Sequence, residues 1–437
     1  MNDAPLVTFL NRQALYLRPD PARVLVRAFR PATEPRDLKP TDISRANHIV
    51  QRVLGLDPEA VQNVLADVLE NFSGRHRNLL GKFRQRADEM EEAFFPHAAF
   101  TASEKQLIGA YFLHEYSFES SALFNPSIVL HPDQTAAPEG GCRFILSLRA
   151  VGEGHISSLT FRSGVIAADG GVTIDPTVRL ASLPNIIERT LCPEGEIVDV
   201  SFEVGEDISE RVVFPMTDAQ SRGIEDARFV AFNDGESITY YATYTAYTGN
   251  RIRSEMLTTK DFVSFRFTPL SGDATYNKGM ALFPRKLDGR YAMVARQDNE
   301  NLHLLYSDDI NTWNGGTAFI KPAQPWEFVQ IGNCGAPIEL DEGWLLLTHG
   351  VGPVRKYVIG AALLDKTDPT RVLARSREPL VRPEPTEREG YVPNVVYTCG
   401  ALRHADMIVL PYAVSDTFSR FATIKIADLL NSLEKIG

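Results

Sequence analysis

The sequence predicts a mainly β protein, a five-bladed β-propeller that follows an α-helical N-terminal extension. From about residue 124 onward, short aromatic and β-branched runs such as 143–148 and 238–244 are separated by Gly, Asp and Asn turns. A degenerate unit, an apolar strand followed by an Asp-containing turn and an aromatic residue, recurs at 257–265 and 305–313. Its spacing of roughly 45 to 60 residues is typical of a four-stranded propeller blade, so about 310 residues would form five blades.

The predicted division of the chain is a helical module at 1–115 and the propeller at 116–437. Residues 421–426 are expected to form a strand that could close the ring, which would remove an exposed sheet edge. A β-sandwich with long loops is the alternative architecture, because the number of strands does not distinguish it from a propeller.

Helix signals dominate the N-terminal module. Asp57 supplies a capping side chain before Pro58, and apolar residues between 61 and 69 recur at helical spacing. Residues 73–95 predict a second, long amphipathic helix, and residues 103–116 predict a third that begins at a Ser cap. The charged faces of these helices are expected to be solvated, although the module could also form a homo-oligomer contact or a lid over an active site.

Composition excludes several classes of partner. The chain has 437 residues, of which 44% are hydrophobic and 23% charged, and its formal net charge is −11. Such a charge argues against binding to nucleic acid, which requires Lys and Arg to neutralise phosphates. Residues 1–29 carry charges throughout and lack the apolar stretch of a signal peptide or membrane anchor. We therefore expect a cytoplasmic protein with no membrane partner.

The four cysteines are far apart and form no C-x-x-C pair. This spacing favours buried apolar residues over a disulfide framework or a zinc site. No metal site is predicted.

Two adjacent carboxylates, Glu225 and Asp226, lie on a glycine turn within residues 221–228. Glycoside cleavage needs an acid that protonates the leaving oxygen. Because neighbouring residues of a regular strand point to opposite faces, only one of the two is expected to be that acid. The alternative is that the pair only solvates a turn.

Three further segments place a cationic or proton-bearing residue beside an apolar strand, at Lys278, Arg296 and His349. Arg can bind phosphate in bidentate fashion, Lys supplies a point charge, and His can donate a hydrogen bond near neutral pH. Each residue alone is typical of a surface charge or a satisfied histidine. Together they predict an anion site, and a sugar-handling carboxylate beside an anion site is typical of a phosphorolytic enzyme.

These motifs resemble glycoside hydrolase family 130, in the same order along the chain and over roughly residues 120–430. The segments that carry the resemblance are 223–228, 278–284, 291–296, 343–350, 360–365, 390–397 and 415–417. The first 115 or so residues lie outside it. Members of that family are five-bladed propellers, mostly inverting phosphorylases of β-mannosides, with a minority of hydrolases.

The resemblance implies a role for each matching position. Asp226 matches the general acid, which is thought to protonate the glycosidic oxygen through the 3-hydroxyl of the mannosyl unit. Lys278, Arg296 and His349 match phosphate-contacting positions, and Tyr357 is a further candidate for the phosphate pocket.

The sugar is expected to contact a second set of residues. Asp416 matches an acidic residue that holds the mannosyl unit, and Asn125 and Arg149 match early-blade residues that contact sugar. Glu225, beside the acid, is assigned to substrate binding as well.

Two positions depart from the family pattern. Gly279 stands where members commonly have Asn, so one polar contact with phosphate is missing. Ala227 stands where proline often follows the Glu-Asp pair, which is expected to alter the stiffness of the turn more than the chemistry.

The expected reaction is an inverting phosphorolysis of a terminal β-mannoside, which yields α-mannose 1-phosphate and a shortened saccharide. Inorganic phosphate is the co-substrate, and no cofactor is expected because the cations neutralise the charge. A hydrolase remains an alternative, with Glu153, Glu255 or Glu300 activating water, and so does a non-catalytic carbohydrate-binding propeller. Residues 277–284 resemble the branch of the family that acts on β-1,2 linkages, and this likeness favours a β-1,2-mannoside, whereas β-1,4-linked mannosyl-glucose or mannosyl-N-acetylglucosamine stays open.

Overall fold

The structure is a computed structural model that describes residues 9–29, 42–94 and 99–436. Contacts divide the chain into two units. The first contains the described residues within Met1–Asp20, together with Glu119–Val178 and Leu183–Gly437. The second contains the described residues within Pro21–Phe118, together with Arg179–Ser182. This division places residues 9–20 with the larger unit, whereas the sequence suggested a single boundary after residue 115.

The described residues form five α-helices and 28 strands, so the protein is mainly β as predicted. The helices are α1 Asp42–Leu54, α2 Pro58–Phe72, α3 Leu79–Phe94, α4 Ala102–Tyr111 and α5 Ile426–Ser432. The strands are β1 Leu10–Leu17, β2 Val24–Ala28, β3 Leu113–Ser117, β4 Ala122–Leu130, β5 Cys142–Val151, β6 Ser157–Ile166, β7 Val172–Ile174, β8 Asn185–Cys192, β9 Gly195–Ser201, β10 Val212–Val213, β11 Gly223–Asn233, β12 Ile238–Tyr247, β13 Ile252–Thr259, β14 Ser264–Pro269, β15 Ala281–Leu282, β16 Tyr291–Ala295, β17 Leu302–Ser307, β18 Thr317–Ile320, β19 Gln330–Asn333, β20 Ile338–Glu339, β21 Trp344–Val351, β22 Tyr357–Leu364, β23 Val372–Arg375, β24 Val396–Tyr397, β25 Leu402–His404, β26 Met407–Val414, β27 Phe418–Lys425 and β28 Glu434–Lys435.

The helical unit follows the predicted helices in part. The helix predicted from the Asp57 cap is confirmed as α2, because the Asp57 side chain accepts a hydrogen bond from the backbone N of Ala60 at 2.8 Å. The continuous helix predicted over 73–95 is wrong at its start. A 3₁₀ turn spans Ser73–Arg75, and α3 begins only at Leu79 because Asn78 has a left-handed backbone with φ 46°.

The third predicted helix, over 103–116, is wrong at both ends. Thr101 is the cap of α4, and it forms a capping box in which its side chain and that of Glu104 each accept from the other's backbone N. The helix ends at Tyr111, and the chain then enters β3, which pairs with β2 in antiparallel fashion.

Most strands of the larger unit fall into five antiparallel groups that follow the chain order, except that β1 joins the last group. The groups are β4-β5-β6, β11-β12-β13-β14, β15-β16-β17-β18, β19-β21-β22-β23 and β24-β26-β27-β1. The first two groups share one sheet, because Ser157 of β6 and Gly223 of β11 make a parallel bridge. The hairpin β8-β9 extends that sheet beyond β14. The first strand of each group supplies or adjoins the residues of the site described below.

The strand predicted at 421–426 is confirmed as part of β27, which pairs with β26 on one side and with β1 on the other. Strand β1 was not predicted, because polar residues interrupt its alternation and the surrounding sequence has helix-forming composition. It is fixed to the same unit by Gln13, whose side chain donates to Gly170 O at 2.9 Å and accepts from Val172 N at 2.9 Å.

An aromatic cluster forms the centre of the large sheet's core. The Phe161 ring is fully buried, and its centroid lies 5.8 Å from those of Phe262 and Phe265 and 6.1 Å from that of Phe229. Ring pairs at these distances add specific attraction to the burial of apolar area. The four cysteines are free thiols, with Cys334 and Cys399 buried.

We predict that Phe161→Ala lowers the free energy of unfolding of the larger unit by about 3–5 kcal/mol, because it leaves a cavity among these rings. Phe328→Ala is the matched control, since the Phe328 side chain is largely exposed. Thermal unfolding of both variants checks this expectation. Equal midpoints for Phe161→Ala and wild type would contradict the role given to the cluster.

Candidate active site

Two β-bulges bring Asn125 and Asp226 together. The pairing of β4 with β5 shifts register between Phe124 and Ser127, and that of β11 with β12 shifts between Glu225 and Arg228. At the bulges Asn125 and Asp226 have left-handed backbones, with φ values of 49° and 54°. A bulge re-aims the side chain that it carries. Here the Asn125 amide donates to Asp226 Oδ1 at 2.7 Å.

Arg149 of β5 links the two adjacent carboxylates. Its Nη1 donates to Asp226 Oδ1 at 3.2 Å, and its Nη2 donates to Glu225 Oε1 at 2.7 Å. Its Nε donates to Ser157 Oγ at 2.9 Å. The expectation that Glu225 and Asp226 diverge, as on a regular strand, is therefore wrong, because the bulge lets both contact one guanidinium. Four of the predicted residues, Asn125, Arg149, Glu225 and Asp226, thus form one cluster.

A small cavity lies beside Asp226 and is lined mainly by cationic and polar residues. Its lining residues are Asp226, Arg228, Lys278, Gly279, Arg296, Gly332, Asn333, His349 and Tyr397. They come from four of the five strand groups, at or next to β11, β15, β16, β19, β21 and β24. The predicted phosphate residues Lys278, Arg296 and His349 therefore meet at one place.

The positive charge of this cavity has no paired carboxylate within the part of the chain that the structure describes. None of Arg228, Lys278 and Arg296 makes an ion pair there, in contrast to Arg149. Arg228 is buried and donates to the backbone O of Asp226 at 3.1 Å and to Tyr397 Oη at 2.7 Å. Three cations share this cavity with one carboxylate, that of Asp226, so positive charge is in excess and the arrangement is suited to an anionic ligand.

His349 is a neutral imidazole that accepts a hydrogen bond from Arg296. Its Nε2 lies 3.3 Å from Arg296 Nη1, and a guanidinium can only donate, so the imidazole accepts. Burial, together with the charges of Arg296 and Arg228, holds the pKa of His349 well below its usual value. Gly332 makes room for the ring, because a Cβ at that position would lie 2.2 Å from His349 Cε1.

Tyr357, the other predicted phosphate residue, lies behind His349. Its ring stacks on the imidazole with centroids 5.9 Å apart, and Tyr397 packs on the same imidazole at 4.9 Å. Tyr357 does not line the cavity. The structure thus places it where it supports His349.

Cationic neighbours control the ionisation of Asp226. Burial acts to raise the pKa of Asp226, but the charges of Arg149, Arg228 and Lys278 outweigh it and bring that pKa down to about 2. With these protein neighbours alone, Asp226 is a carboxylate at neutral pH. To donate a proton, it needs a ligand that offsets this positive charge.

Asp416 shows the opposite behaviour on a neighbouring turn. Ser415 and Asp416 both have left-handed backbones, and Ser415 Oγ donates to Glu387 O at 2.7 Å, which holds the turn. Burial and the nearby Asp226 carboxylate together raise the pKa of Asp416 to about 6 against the opposing charge of Arg149. Its carboxylate has no hydrogen-bond partner in the described ranges, so it is available to a hydroxyl-bearing ligand.

Four of the described cavity residues were not singled out from the sequence: Arg228, Gly332, Asn333 and Tyr397. Arg228 belongs to the 223–228 motif and could have been found as a third cation. Tyr397 ends the 390–397 segment that carries the family resemblance, whereas Gly332 and Asn333 lie in a segment without a distinctive pattern, and the sheet topology brings them to the cavity.

Other candidates lie outside the cavity. The carboxylates considered for water activation, Glu153, Glu255 and Glu300, do not line it. Glu255 is buried in another network, where it accepts from Tyr244 Oη at 2.6 Å and from Gln220 Nε2 at 3.1 Å.

Among the described residues, no group of three or more His, Cys, Asp or Glu side chains could hold a metal ion. No helix in those residues is long and apolar enough to span a bilayer.

We predict that Asp416→Asn stabilises the protein at neutral pH and not at acid pH. A carboxyl with a raised folded-state pKa contributes stability below its unfolded value near 4, and this stability is lost as the pH rises through about 6. The free energy of unfolding of the variant, relative to that of wild type, should rise by about 3 kcal/mol between pH 4 and pH 7.5. Thermal unfolding across this range, with the exposed Asp341→Asn as control, measures it. A stability difference that does not change with pH would contradict the assignment.

Comparison with known proteins identifies the family of this chain. The model of glycoside hydrolase family 130, described as β-1,4-mannooligosaccharide phosphorylase, matches residues 200–435. A 1,2-β-oligomannan phosphorylase of Thermoanaerobacter sp. is 35% identical over 219 residues, which are 49% of this chain and 72% of that protein. A β-1,2-mannobiose phosphorylase of Listeria innocua is 33% identical over 232 residues, 51% of this chain and 63% of that protein.

The fold also has solved counterparts. A putative glycoside hydrolase from Bacteroides ovatus superposes with a TM-score of 0.53 and 18% identity, covering 72% of this chain and 90% of that one. At this identity the likeness concerns the fold alone. The resemblance that the motifs carried is confirmed by the sequence matches, and the chain belongs to glycoside hydrolase family 130.

Proposed function

We propose that this protein is an inverting phosphorylase of β-mannosides, which uses inorganic phosphate to release α-mannose 1-phosphate from β-1,2-linked mannooligosaccharides. The observation that carries the proposal is the group of three cations, Arg228, Lys278 and Arg296, that share a cavity with Asp226 and have no paired carboxylate there. A phosphate dianion supplies the missing negative charge beside the acid.

In the proposed reaction, a phosphate oxygen attacks the anomeric carbon of the terminal mannosyl unit as the bond to the glycosidic oxygen breaks. The departing oxygen takes a proton from the 3-hydroxyl of the mannosyl unit, which takes one in turn from Asp226. Attack from the face opposite to the leaving group converts a β-mannoside into α-mannose 1-phosphate. The Asp226 carboxylate then recovers its proton from solvent.

Phosphate binding also explains how Asp226 becomes an acid. Of the cations that hold its pKa near 2, Arg149 lies outside the cavity lining, whereas Arg228 and Lys278 line the cavity where phosphate would bind. A bound dianion offsets their charge and adds negative charge of its own, and both effects favour the protonated carboxyl. The co-substrate would thus prepare the acid as well as supply the nucleophile.

The mannosyl unit is proposed to lie between the bulges and the Asp416 turn. Asn125 and Arg149 already orient Asp226, and their position makes them contacts for sugar hydroxyls. Asp416 presents a carboxylate without a hydrogen-bond partner among the described residues, and Glu225 is held by Arg149. Tyr357 supports the phosphate site through His349.

Phosphorolysis is preferred over hydrolysis because of what lines the cavity. Water activation needs a carboxylate there in addition to the acid. Asp226 is the only acidic residue among the described lining residues, and Glu153, Glu255 and Glu300 lie elsewhere. The β-1,2 linkage is proposed because two relatives at 33–35% identity carry that linkage in their names, although the family model is described by β-1,4 linkages.

We further propose that the five antiparallel groups are the five blades of a propeller. In that arrangement, β4, β11, β15, β19 and β24 are the inner strands, and β1 completes the last blade beside β27. This order supports the proposal because inner strands converge on the axis, where the cavity residues would meet. A β-sandwich would not bring residues of four groups to one point.

Neither a metal nor an organic cofactor takes part, since the three cations stabilise the phosphate charge. The reaction is assigned to the cytoplasm, where inorganic phosphate is available and the charged product is retained. The helical unit is a candidate for contact between subunits of a homo-oligomer.

Product analysis with β-1,2- and β-1,4-linked mannobiose, each with and without inorganic phosphate, tests the reaction and its linkage. We expect mannose 1-phosphate from the β-1,2 substrate only when phosphate is present. Equal release of free mannose in both conditions would assign the protein to the hydrolases. Binding of the saccharides without cleavage would make it a carbohydrate-binding propeller.

Asp226→Asn should lower kcat at least about 10³-fold, because a carboxamide cannot deliver the proton. Asp288→Asn is the matched control, since Asp288 has a similar left-handed backbone, with φ 47°, but is exposed on a turn. Initial rates of sugar phosphate formation compare the two variants. Near-normal turnover by Asp226→Asn on a disaccharide would contradict the role of Asp226.

A further inference from the structure

The carboxamide of Asn333 is buried without a partner. Asn333 is the last residue of β19, its exposed fraction is 1%, and neither its Oδ1 nor its Nδ2 has a hydrogen-bond partner in the residues that the structure describes. Leaving both groups unpaired forfeits their hydration without compensation, so buried side chains of this kind normally have a partner. A ligand in the cavity that Asn333 lines would provide one.

The position of this side chain is well defined. Backbone pairing of Asn333 with Thr348 and of Gly332 with His349 fixes the end of β19 against β21. Across the cavity stands Gly279, and a Cβ at that position would lie 3.9 Å from Asn333 Oδ1. The carboxamide therefore faces the space that the missing side chain of Gly279 leaves open, beside Lys278.

The carboxamide of Asn333 can accept a hydrogen bond, which the cations cannot do. Lys278, Arg296 and Arg228 can only donate hydrogen bonds, whereas Asn333 has both a donor and an acceptor. Monohydrogen phosphate carries one P–OH group, which must find an acceptor, and several oxygens that need donors. Sulfate has the same shape and charge but no proton to donate. An acceptor in the site therefore favours hydrogen phosphate over sulfate, and Asn333 provides one in addition to the Asp226 carboxyl.

We propose that Asn333 binds the phosphate co-substrate through both halves of its carboxamide and makes the site selective for hydrogen phosphate over sulfate. This inference rests on the proposed function and names a residue that the sequence motifs do not include. The role is in binding and selectivity, and the acid remains Asp226.

Calorimetric titration of the full chain with inorganic phosphate and with sulfate tests the inference, alongside the KM for phosphate. Wild type should bind phosphate more tightly than sulfate. Asn333→Ala should weaken phosphate binding about 10-fold, because two hydrogen bonds to a charged partner are lost, and should weaken sulfate binding less, because only the donor bond is lost. Asn333→Asp, which adds a negative charge, should weaken both. The exposed Asn185→Ala serves as control.

A merely structural role for Asn333 predicts a different pattern. Removing an unpaired buried carboxamide should leave the thermal midpoint of the ligand-free protein unchanged or higher, whereas a structural residue would lower it. The midpoint gained on adding phosphate should shrink in Asn333→Ala. An unchanged preference for phosphate over sulfate in Asn333→Ala, or a lowered ligand-free midpoint, would overturn the inference.

The two proposals fail in different ways. If wild type forms mannose 1-phosphate while Asn333→Ala keeps the wild-type KM and selectivity for phosphate, the assignment of Asn333 fails and the phosphorylase stands. If wild type binds phosphate with a selectivity that depends on Asn333 but forms no sugar phosphate, the phosphorylase fails and the anion site stands.

Discussion

Unpaired positive charge around one buried cavity is the constraint on which the rest of the site depends. Arg228, Lys278 and Arg296 repel one another, and in a medium less polar than water this repulsion is substantial. Within the described residues no carboxylate forms an ion pair with them. Arg149, in contrast, forms ion pairs with both Glu225 and Asp226. Arg228 acts on both titratable neighbours. Together with Arg149 and Lys278 it keeps Asp226 ionised, and burial, Arg296 and Arg228 keep His349 neutral. A phosphate dianion relieves all of these effects together.

The backbone makes this arrangement possible through local irregularity in otherwise regular sheets. Bulges in β4 and β11 turn Asn125 and Asp226 toward each other, and the left-handed turn at Ser415 and Asp416 presents a third polar group. Asn and Asp tolerate left-handed backbones better than most residues, so the polar chemistry and the unusual geometry require the same residue types. Gly332 contributes by having no side chain, which leaves room for the His349 ring.

The sequence was most informative where a motif and a strand end coincide. Lys278, Arg296 and His349 were predicted because each adjoins an apolar strand, and the structure brings them to one cavity. Asn333 was beyond prediction, since its importance comes from lacking a partner, which only three-dimensional contacts reveal. The divergence expected of Glu225 and Asp226 was wrong because alternation assumes a regular strand, and the bulge is visible only in the pairing register.

Local sequence patterns were also insufficient to predict parts of the N-terminal elements. Strand β1 was missed because its pairing partner, β27, lies about 400 residues away, and no local pattern reports such a contact. The ends of the predicted helices were wrong where a capping box at Thr101 or a left-handed residue at Asn78 decided them. The periodicity correctly predicted that these segments contain helices, whereas the positions of the helix ends depend on single hydrogen bonds.

The central claim is that the cationic cavity holds the phosphate that attacks the sugar. A crystal structure of the protein with inorganic phosphate, at a concentration that supports turnover, tests it most directly. The account predicts one ordered phosphate within hydrogen-bond distance of Lys278 and Arg296, on the side of the cavity that faces Asp226. A cavity that contains only water under those conditions, or a phosphate bound elsewhere, would contradict it.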